Sequence, residues 1–502
     1  MAMTDAQTAE AQAQALAQKA QRLLERGEHE AALAAATDAL ALAPGYAFAW
    51  LVKAQAARAL LRYEEAAKAF EAVLRAAPNL PGVRVNLANT YAELERLEEA
   101  EAQLKEAIRL NPALAAAYAS LGSVYLRLER PEEAEAPSRR ALELEPDLAA
   151  AHLNLAGLLT RSNPNEAQAH RDAVYRRQQV FAEPVPGAAR TALILTTSGT
   201  GNTPYQYLLG GTRYGRLKWV IEYAPKEQAA QLPPYDFVFN AVADADVAGP
   251  AHEAVQHFAD VCNKPWINQP DAIARTYRSA MPGLLAGIED VVVPAVLRHE
   301  RKAGSLLDAV TAAGLPNPVI VRPTGRHGGE GMERIDNPQA LDAALGDSEA
   351  AYATHYVEYR SADGWYRKYR MIFVDRVPYP YHLAIGKNWL LHYKTAYMAD
   401  DTARRGEEER FLADPEAALG TKAWAALHAV ARRLDLDYAG IDFSLLPDGR
   451  VLFFEANATM LVHPEREARF AYKNPAVDAI FAAFDALMER RISASTSPAS
   501  PQ

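Results

Sequence analysis

Four prolines set the terms for the first third of the chain: Pro44, Pro78, Pro112 and Pro146 recur at an interval of 34 residues. A fixed period of that size means one supersecondary unit used repeatedly, because such a unit cannot bury its apolar face alone and must stack on its neighbours. Other positions keep the same phase. Leu87 and Leu121 fall seven residues into their units, Tyr91 and Tyr125 eleven, and Ala66, Ala100 and Ala134 twenty. Glu-Glu-Ala recurs at 64–66, 98–100 and 132–134, while Trp50 and Phe70 take two large-residue positions of the second unit. Small residues let two helix backbones approach where they cross, and large ones fill the gap beside the crossing. Each proline ends the second helix of its unit, since it lacks an N–H and restricts the residue before it. Four full units run from about residue 13 to residue 148. A fifth pair (149–180) keeps Leu155 and Leu159 but loses the terminal proline, as a capping repeat would.

This segment resembles the tetratricopeptide family over about 165 residues. The resemblance implies an all-α solenoid at roughly 10–180 whose concave surface holds a peptide, a protein partner or a carrier. A spacer or a self-association surface is the alternative use of the same array.

At 502 residues the chain exceeds one core, so two or three domains are expected. The net charge of −10 argues against a generic nucleic-acid or anionic-membrane binder, whose footprint is basic. Cys262 is the single cysteine, which excludes an intramolecular disulfide and disfavours a cysteine-built metal site. The stretch MAMTDAQTAEAQAQAL has no charged segment leading into an apolar core, and no run approaches 18 apolar residues. A cytoplasmic location, with neither a signal peptide nor a transmembrane helix, is the expectation.

The run FAEPVPGAAR (181–190) reads as a linker, after which the texture turns from Ala/Leu/Glu helices to short apolar strands. TALILTT (191–197), LKWVIEY (217–223) and YDFVFNAV (235–242), separated by crossovers, predict a small parallel sheet in a lobe spanning 191–275. SGTGNTPY (198–205) follows the first strand; it is either a flexible turn or a loop touching substrate at the strand's carboxyl end. It is neither a Walker loop nor a dinucleotide fingerprint.

The stretch YAGIDFSLLPDGRVLFFEANATM (438–460) carries the chemistry. It reads as a hairpin turning at Pro-Asp-Gly, with Asp442 thirteen residues before Glu455 and Asn457 two after it. Glu455 and Asn457 share a strand face, and the paired strand can bring Asp442 beside them. Two carboxylates and an amide oxygen are hard ligands suited to Mg²⁺ bridging nucleotide phosphates. Upstream, PNPVIVRPTGRHGGEGMERI (316–335) is a strand leading into a loop whose Gly328, Gly329 and Gly331 give backbone N–H groups close access to phosphate.

These two stretches resemble the ATP-grasp superfamily, whose C-terminal signature is a strand-borne Asp, a turn, and a strand ending Glu-x-Asn. The resemblance covers roughly 191–488, with a nucleotide-binding and catalytic region at 276–488 behind the small α/β lobe. It implies ATP and Mg²⁺, and metal ligation by Asp442, Glu455 and Asn457. Arg322 then stands where the family usually carries a phosphate-binding lysine, keeping the charge but presenting a fork. His327 contacts phosphate or substrate, or caps the loop. The adenine hinge falls at Tyr356 and Val357, with Glu358 a partner for adenine or ribose, and Arg370 is favoured as a ligand of phosphate or acyl phosphate. A second basic ligand precedes a Val-Pro strand; Arg275 and Arg278 are the candidates, with Arg298 a lesser one. His382, Lys387, His392 and Lys394 concentrate positive charge in an acidic chain and point to an anionic ligand, Lys387 and Lys394 being the catalytic candidates.

The chemistry implied is that of a carboxylate–amine ligase. A substrate acid is activated as acyl phosphate and joined to an amine, releasing ADP and phosphate, while the repeats recruit a peptide or protein. Phosphate transfer to a hydroxyl, and a nucleotide-sensing scaffold, are the alternatives. The segment 489–502, rich in Ser, Pro and Ala, is expected to be disordered.

Overall fold

A computed structural model describes residues 5–185, 187–210, 213–244, 249–325, 329–392, 396, 398 and 401–496. The chain divides into two units, Met1–Gln179 and Val180–Gln502.

The first unit is built of helix pairs, from Asp5–Glu25 to Pro164–Tyr175. The 34-residue phase is visible in its packing. Ala66, Ala100 and Ala134 are all fully buried at the crossings, and Phe70, Leu104 and Ser138 occupy one equivalent buried position in successive units. The turn inside each unit repeats as well: Gly27, Leu61, Glu95 and Glu129 all have φ between 57° and 76°. Only the first of these is glycine, so three units accept a left-handed residue at some cost for the sake of a short turn. Arg96 lies over the ring of Tyr91 at 4.2 Å, and Arg130 over Tyr125 at 4.7 Å, one period later.

Where the fourth unit meets the fifth helix pair, polar residues enter the packing: Ser138 takes the position of Phe70 and Leu104, and Asn154 is buried beside it. Asn154 Nδ2 donates to the Ala119 carbonyl at 2.9 Å, and its Oδ1 accepts from Ser123 Oγ at 2.9 Å. Gly122 faces this group, and a Cβ there would overlap Ser138 Oγ, with Asn154 Nδ2 at 2.9 Å and the Ala134 carbonyl oxygen at 3.3 Å.

The second unit contains three sheets. Five strands form the first: β1 (Val180–Glu183), β2 (Arg190–Thr196), β3 (Tyr214–Val220), β4 (Phe237–Asn240) and β5 (Trp266–Ile267). Their order is β1-β3-β2-β4-β5, parallel except for β1 against β3. The expected linker is therefore corrected at its start: residues 180–183 pair along the edge of this sheet. Farther on lie β6 (Val291–Val292), β7 (Val296–Glu300), β8 (Val319–Pro323), β9 (Glu333–Ile335) and β10 (Ala350–His355). They are followed by β11 (Tyr366–Val374), β12 (Val377–Gly386), β13 (Tyr438–Leu445) and β14 (Val451–Asn457). The second sheet runs β7-β10-β8-β9, the third β12-β11-β13-β14-β6.

The helix Asn474–Thr496 packs Ile480, Phe484 and Leu487 against Ile194 and Phe239 of the first sheet and Ile372 and Tyr438 of the third. This corrects the expected disordered tail. Residues 489–496 continue the helix, with Ile492 buried and Arg490 and Arg491 donating to Asp375 and Asp437. Residues 497–502 lie outside the described residues. No helix among the described residues is long and apolar enough to cross a membrane.

The crowding at Gly122 gives a test. Gly122→Val should destabilise the first unit by about 1–3 kcal/mol, because both methyls must enter a filled crossing. A urea melt followed by circular dichroism measures it, and an unchanged midpoint would contradict the packing.

Candidate functional site

A cleft opens between the second and third sheets. One end is apolar, lined by Ile320, Met332, Tyr356, Val357, Leu452 and Phe454; the other carries Arg278, Arg322, Lys368, Arg370, Asp442 and Glu455.

The charged end is built on the β13–β14 hairpin. Gly449, at φ +81°, makes the Pro-Asp-Gly turn that a Cβ would strain. Asp442 lies directly opposite Glu455 in the register, and Gly440 opposite Asn457. Between Asp442 and Phe443 the register shifts, leaving Phe454 as an extra residue. Val451 and Phe453 pack into the core behind the sheet, whereas Leu452 and Phe454 join an aromatic cluster with Tyr359 and Tyr366 on the other side. The bulge thus turns two successive side chains, Phe454 and Glu455, toward the cleft. The hairpin is legible in the sequence, whereas the bulge is not.

Each carboxylate is held by two cations. Arg370 on β11 spans Asp442 with a fork, Nε to Oδ1 at 2.6 Å and Nη2 to Oδ2 at 2.9 Å. Lys368, two residues earlier on the same face, reaches Asp442 Oδ2 at 3.4 Å. Glu455 Oε2 accepts from Arg322 Nη1 of β8 at 3.0 Å and also from Arg278 Nη2. Burial pushes both carboxyls up, but the cations outweigh it. The Arg278 and Arg322 guanidiniums hold Glu455 at about 2, and Arg370 with Lys368 holds Asp442 well below the ordinary range. His382, opposite Arg370 on β12, is driven far down by burial and by that arginine, so its imidazole is neutral.

Of the three basic residues considered for the second phosphate ligand, Arg278 is the one in the cleft. Arg275 pairs with Asp435 at 3.1 Å and Arg298 with Glu300 at 2.9 Å, and neither lines it. Lys368 is not among the ligands expected from the sequence; its i, i+2 spacing from Arg370 is the signal that could have found it.

Other expected residues sit differently. Asn457 shares the strand, but its Oδ1 accepts from both the N–H and the hydroxyl of Thr459 at 2.7 Å, which occupies the amide oxygen. Tyr356 lines the apolar end, yet its N–H already donates to the Pro318 carbonyl at 2.8 Å and cannot serve as a hinge donor. Glu358 turns back on its own loop, accepting from the N–H groups of Tyr359 and Arg360, and does not line the cleft. Lys387 is displaced too: just past the end of β12 it lies over the Trp365 ring at 3.7 Å, exposed.

Gly329 and Gly331 have positive φ, and a Cβ on Gly329 would meet Leu390 Cδ1 at 3.1 Å, so the loop passes close to residue 390. His327, Gly328 and Lys394 lie outside the described residues. The SGTGNTPY loop is pinned by Asn202, which bonds Thr197 and Gly199, and Thr203 Oγ donates to the Ala458 carbonyl at 2.9 Å. That loop therefore abuts the segment that follows Asn457.

Family models of the tetratricopeptide repeat match residues 17–81, 88–129 and 115–148. Among solved structures, the Pseudomonas aeruginosa pilF protein is 24% identical over 33% of this chain and 76% of its own, with a TM-score of 0.30. YrrB, described as a TPR protein with an unusual peptide-binding site, is 25% identical over 32% and 84%, with a TM-score of 0.29. The first TPR of Spaghetti (RPAP3), bound to an HSP90 peptide, is 28% identical over 23% and 90%, at 0.22. No curated protein matches the chain. The first unit contains tetratricopeptide repeats within residues 17–148, and a mixed helix and strand unit follows it.

The charge pairing in the cleft has a pH signature. Glu455 is depressed from its ordinary 4.5 to about 2. A depressed carboxylate contributes stability that is fully present above the unfolded pKa and is lost as pH falls through the folded one. The stability difference between wild type and Glu455→Gln should therefore be constant above about pH 4.5 and shift against wild type below it, by up to about 1.4 kcal/mol per pH unit. Urea denaturation at steps from pH 6 to pH 3 checks this. A difference that stays flat to pH 3 would mean that the arginines do not hold the carboxylate.

Proposed function

We propose that the second unit is an ATP- and Mg²⁺-dependent carboxylate–amine ligase of the ATP-grasp type, to which the repeats bring a peptide or protein partner. One observation carries the reading: an opposed carboxylate pair, Asp442 and Glu455, at the cationic end of a cleft whose other end is apolar. An adenine ring suits the apolar end, and phosphates suit the four cations.

The residues present fit a magnesium ion in part. Asp442 and Glu455 offer hard oxygens side by side, whereas Asn457 would first have to release Thr459. No group of three or more His, Cys, Asp or Glu that could hold a metal occurs among the described residues. A metal here would complete its shell with phosphate oxygens and water, as magnesium at nucleotide sites commonly does. It would supply neutralisation of the phosphate charge.

The protein's own part is positioning and charge. Arg322 and Arg278 reach the cleft from different segments, one on a strand of the second sheet and one ahead of it, so a phosphate group between them is oriented as well as neutralised. Arg370 and Lys368, on a strand buried in the third sheet, face the same space from the opposite wall. They are placed to stabilise charge moving from phosphate to an attacking carboxylate without rearranging the sheet. The acyl phosphate so formed is then open to an amine, and no side chain need act as nucleophile.

An ATP-turnover screen over amino acids and short peptides, with mass detection of products, tests the reading. An amide product supports ligation, and a phosphoester would replace it with phosphate transfer. With an active acid in hand, Glu455→Gln and Asp442→Asn should each lower turnover by at least about 100-fold, roughly 3 kcal/mol of transition-state stabilisation, with an unchanged circular dichroism spectrum. Wild-type turnover in either variant would overturn the assignment.

A further inference from the structure

The helix pair that closes the array is joined by two imidazoles. His152 of helix Ala149–Leu159 and His170 of helix Pro164–Tyr175 meet Nδ1 to Nδ1 at 2.8 Å, with ring centroids 5.1 Å apart. Their other nitrogens fix the tautomers. His152 Nε2 lies 2.9 Å from the Pro146 carbonyl, which can only accept, so that nitrogen carries the hydrogen. The same bond recurs at the same phase of the repeat, from Trp50 Nε1 to the Pro44 carbonyl and from Arg84 Nη2 to the Pro78 carbonyl, both permanent donors. A neutral His152 therefore presents a bare Nδ1, and His170 donates to it from Nδ1–H. His170 Nε2 is then bare as well. It is buried, has no hydrogen-bond partner among the described residues, and stands 3.8 Å from the Glu166 carboxylate.

Such a pair has room for one proton and not for two. The first goes to His170 Nε2, opposite Glu166, and leaves the N–H···N bond intact. Arg139 of helix Pro131–Leu144 contests even that place, since it holds Glu166 at 2.8 Å with Glu135 on its other side. Burial, His152 and Arg139 keep the His170 imidazole below its ordinary range against the pull of Glu166. A second proton must go to His152 Nδ1, which abolishes the bond and sets two imidazoliums in contact beside a guanidinium. Asp147, ahead of His152, is bound to Arg177 at 2.7 Å. Helix Pro164–Tyr175 adds little apolar anchoring: its buried apolar residues are Ala167, Val174 and Tyr175, and Ala167 packs on Leu155 and Leu159.

We propose that acid releases this closing helix: proton uptake by the His152–His170 pair undocks Pro164–Tyr175 from Ala149–Leu159 and uncovers Leu155 and Leu159. A histidine held low in the docked state takes its proton more readily in the open one. Docking is therefore at full strength above about pH 6.5, the ordinary histidine value, and weakens below it. Glu166 and Asp147, held low by Arg139 and Arg177, stay ionised through that window.

Hydrogen exchange of the full-length chain, read by mass spectrometry and corrected for the intrinsic pH dependence of amide exchange, tests this. From pH 7 to pH 5, protection in peptides from 149–175 should fall by up to about tenfold per pH unit for each proton taken up, while peptides from 81–127 hold theirs. His170→Gln and His152→Gln, whose amide can still donate to Pro146, should each leave at most one proton's share of the fall. The double variant should show none. Protection in wild type that stays flat to pH 5, or a fall shared equally by 81–127, would overturn the proposal. So would an undiminished slope in both single variants, a comparison that holds even where the double variant is already open at pH 7.

Discussion

Two carboxylates side by side on a desolvated hairpin are the constraint around which the second unit is arranged. Asp442 and Glu455 face one another across β13 and β14, where opposed side chains lie about 5 Å apart. At an effective dielectric of about 20, a pair of like charges at such a distance repels by roughly 3 kcal/mol before any desolvation is counted. They persist as anions because cations arrive from several separate segments: Arg278 ahead of β6, Arg322 on β8, and Lys368 and Arg370 on β11. The two sheets that flank the cleft are therefore joined electrostatically through Glu455. The same attraction that offsets the repulsion brings four cationic side chains to one place.

How much of this could be read beforehand depended on whether the information is periodic or local. The repeats were legible because one contact, a small residue at a helix crossing, is made again every 34 residues; Ala66, Ala100 and Ala134 are buried as their spacing implied. The hairpin was legible because a Pro-Asp-Gly turn separates two apolar runs. The bulge at Phe454 was not, since a one-residue shift in pairing leaves no trace in an apolar stretch such as VLFF. Lys387 and Lys394 stand out in the sequence by charge alone, and charge does not say which way a side chain points. Lys387 turned to an aromatic ring, which serves a cation at a strand end as well as a ligand would. Asn457 closes β14 and Tyr356 follows β10, and hydrogen bonds to Thr459 and Pro318 decide what their polar groups can still do.

The last helix explains why the charged wall is rigid. Its apolar stripe touches both the first and the third sheets, through Phe239 on one side and Ile372 and Tyr438 on the other. Its basic end is tied to Asp375 and Asp437, which flank the β11–β12 turn and the start of β13. Ile372 lies two residues past Arg370 and Tyr438 four before Asp442, on the same face of their strands, so packing farther along that face holds the strands that carry the site. A segment whose composition suggests a solvated tail is in its first part a structural clamp, because Arg490 and Arg491 reach Asp375 and Asp437 while Ile492 beside them enters the core.

Arginine at position 322 has a structural reason. A lysine there could neutralise Glu455 beside a second cation, as Lys368 does at Asp442, but one ammonium presents a single centre of charge. A guanidinium presents donors along two edges and lets Arg278 approach the same oxygen from another direction. The planar group also packs where a hydrated ammonium would not, and the Arg322 side chain is largely buried, at 13% exposure. The geometry at Glu455 is thus set by a three-centre arrangement in which each arginine limits the orientation of the other. Replacing either one changes not only the charge in the cleft but where the remaining charge is held.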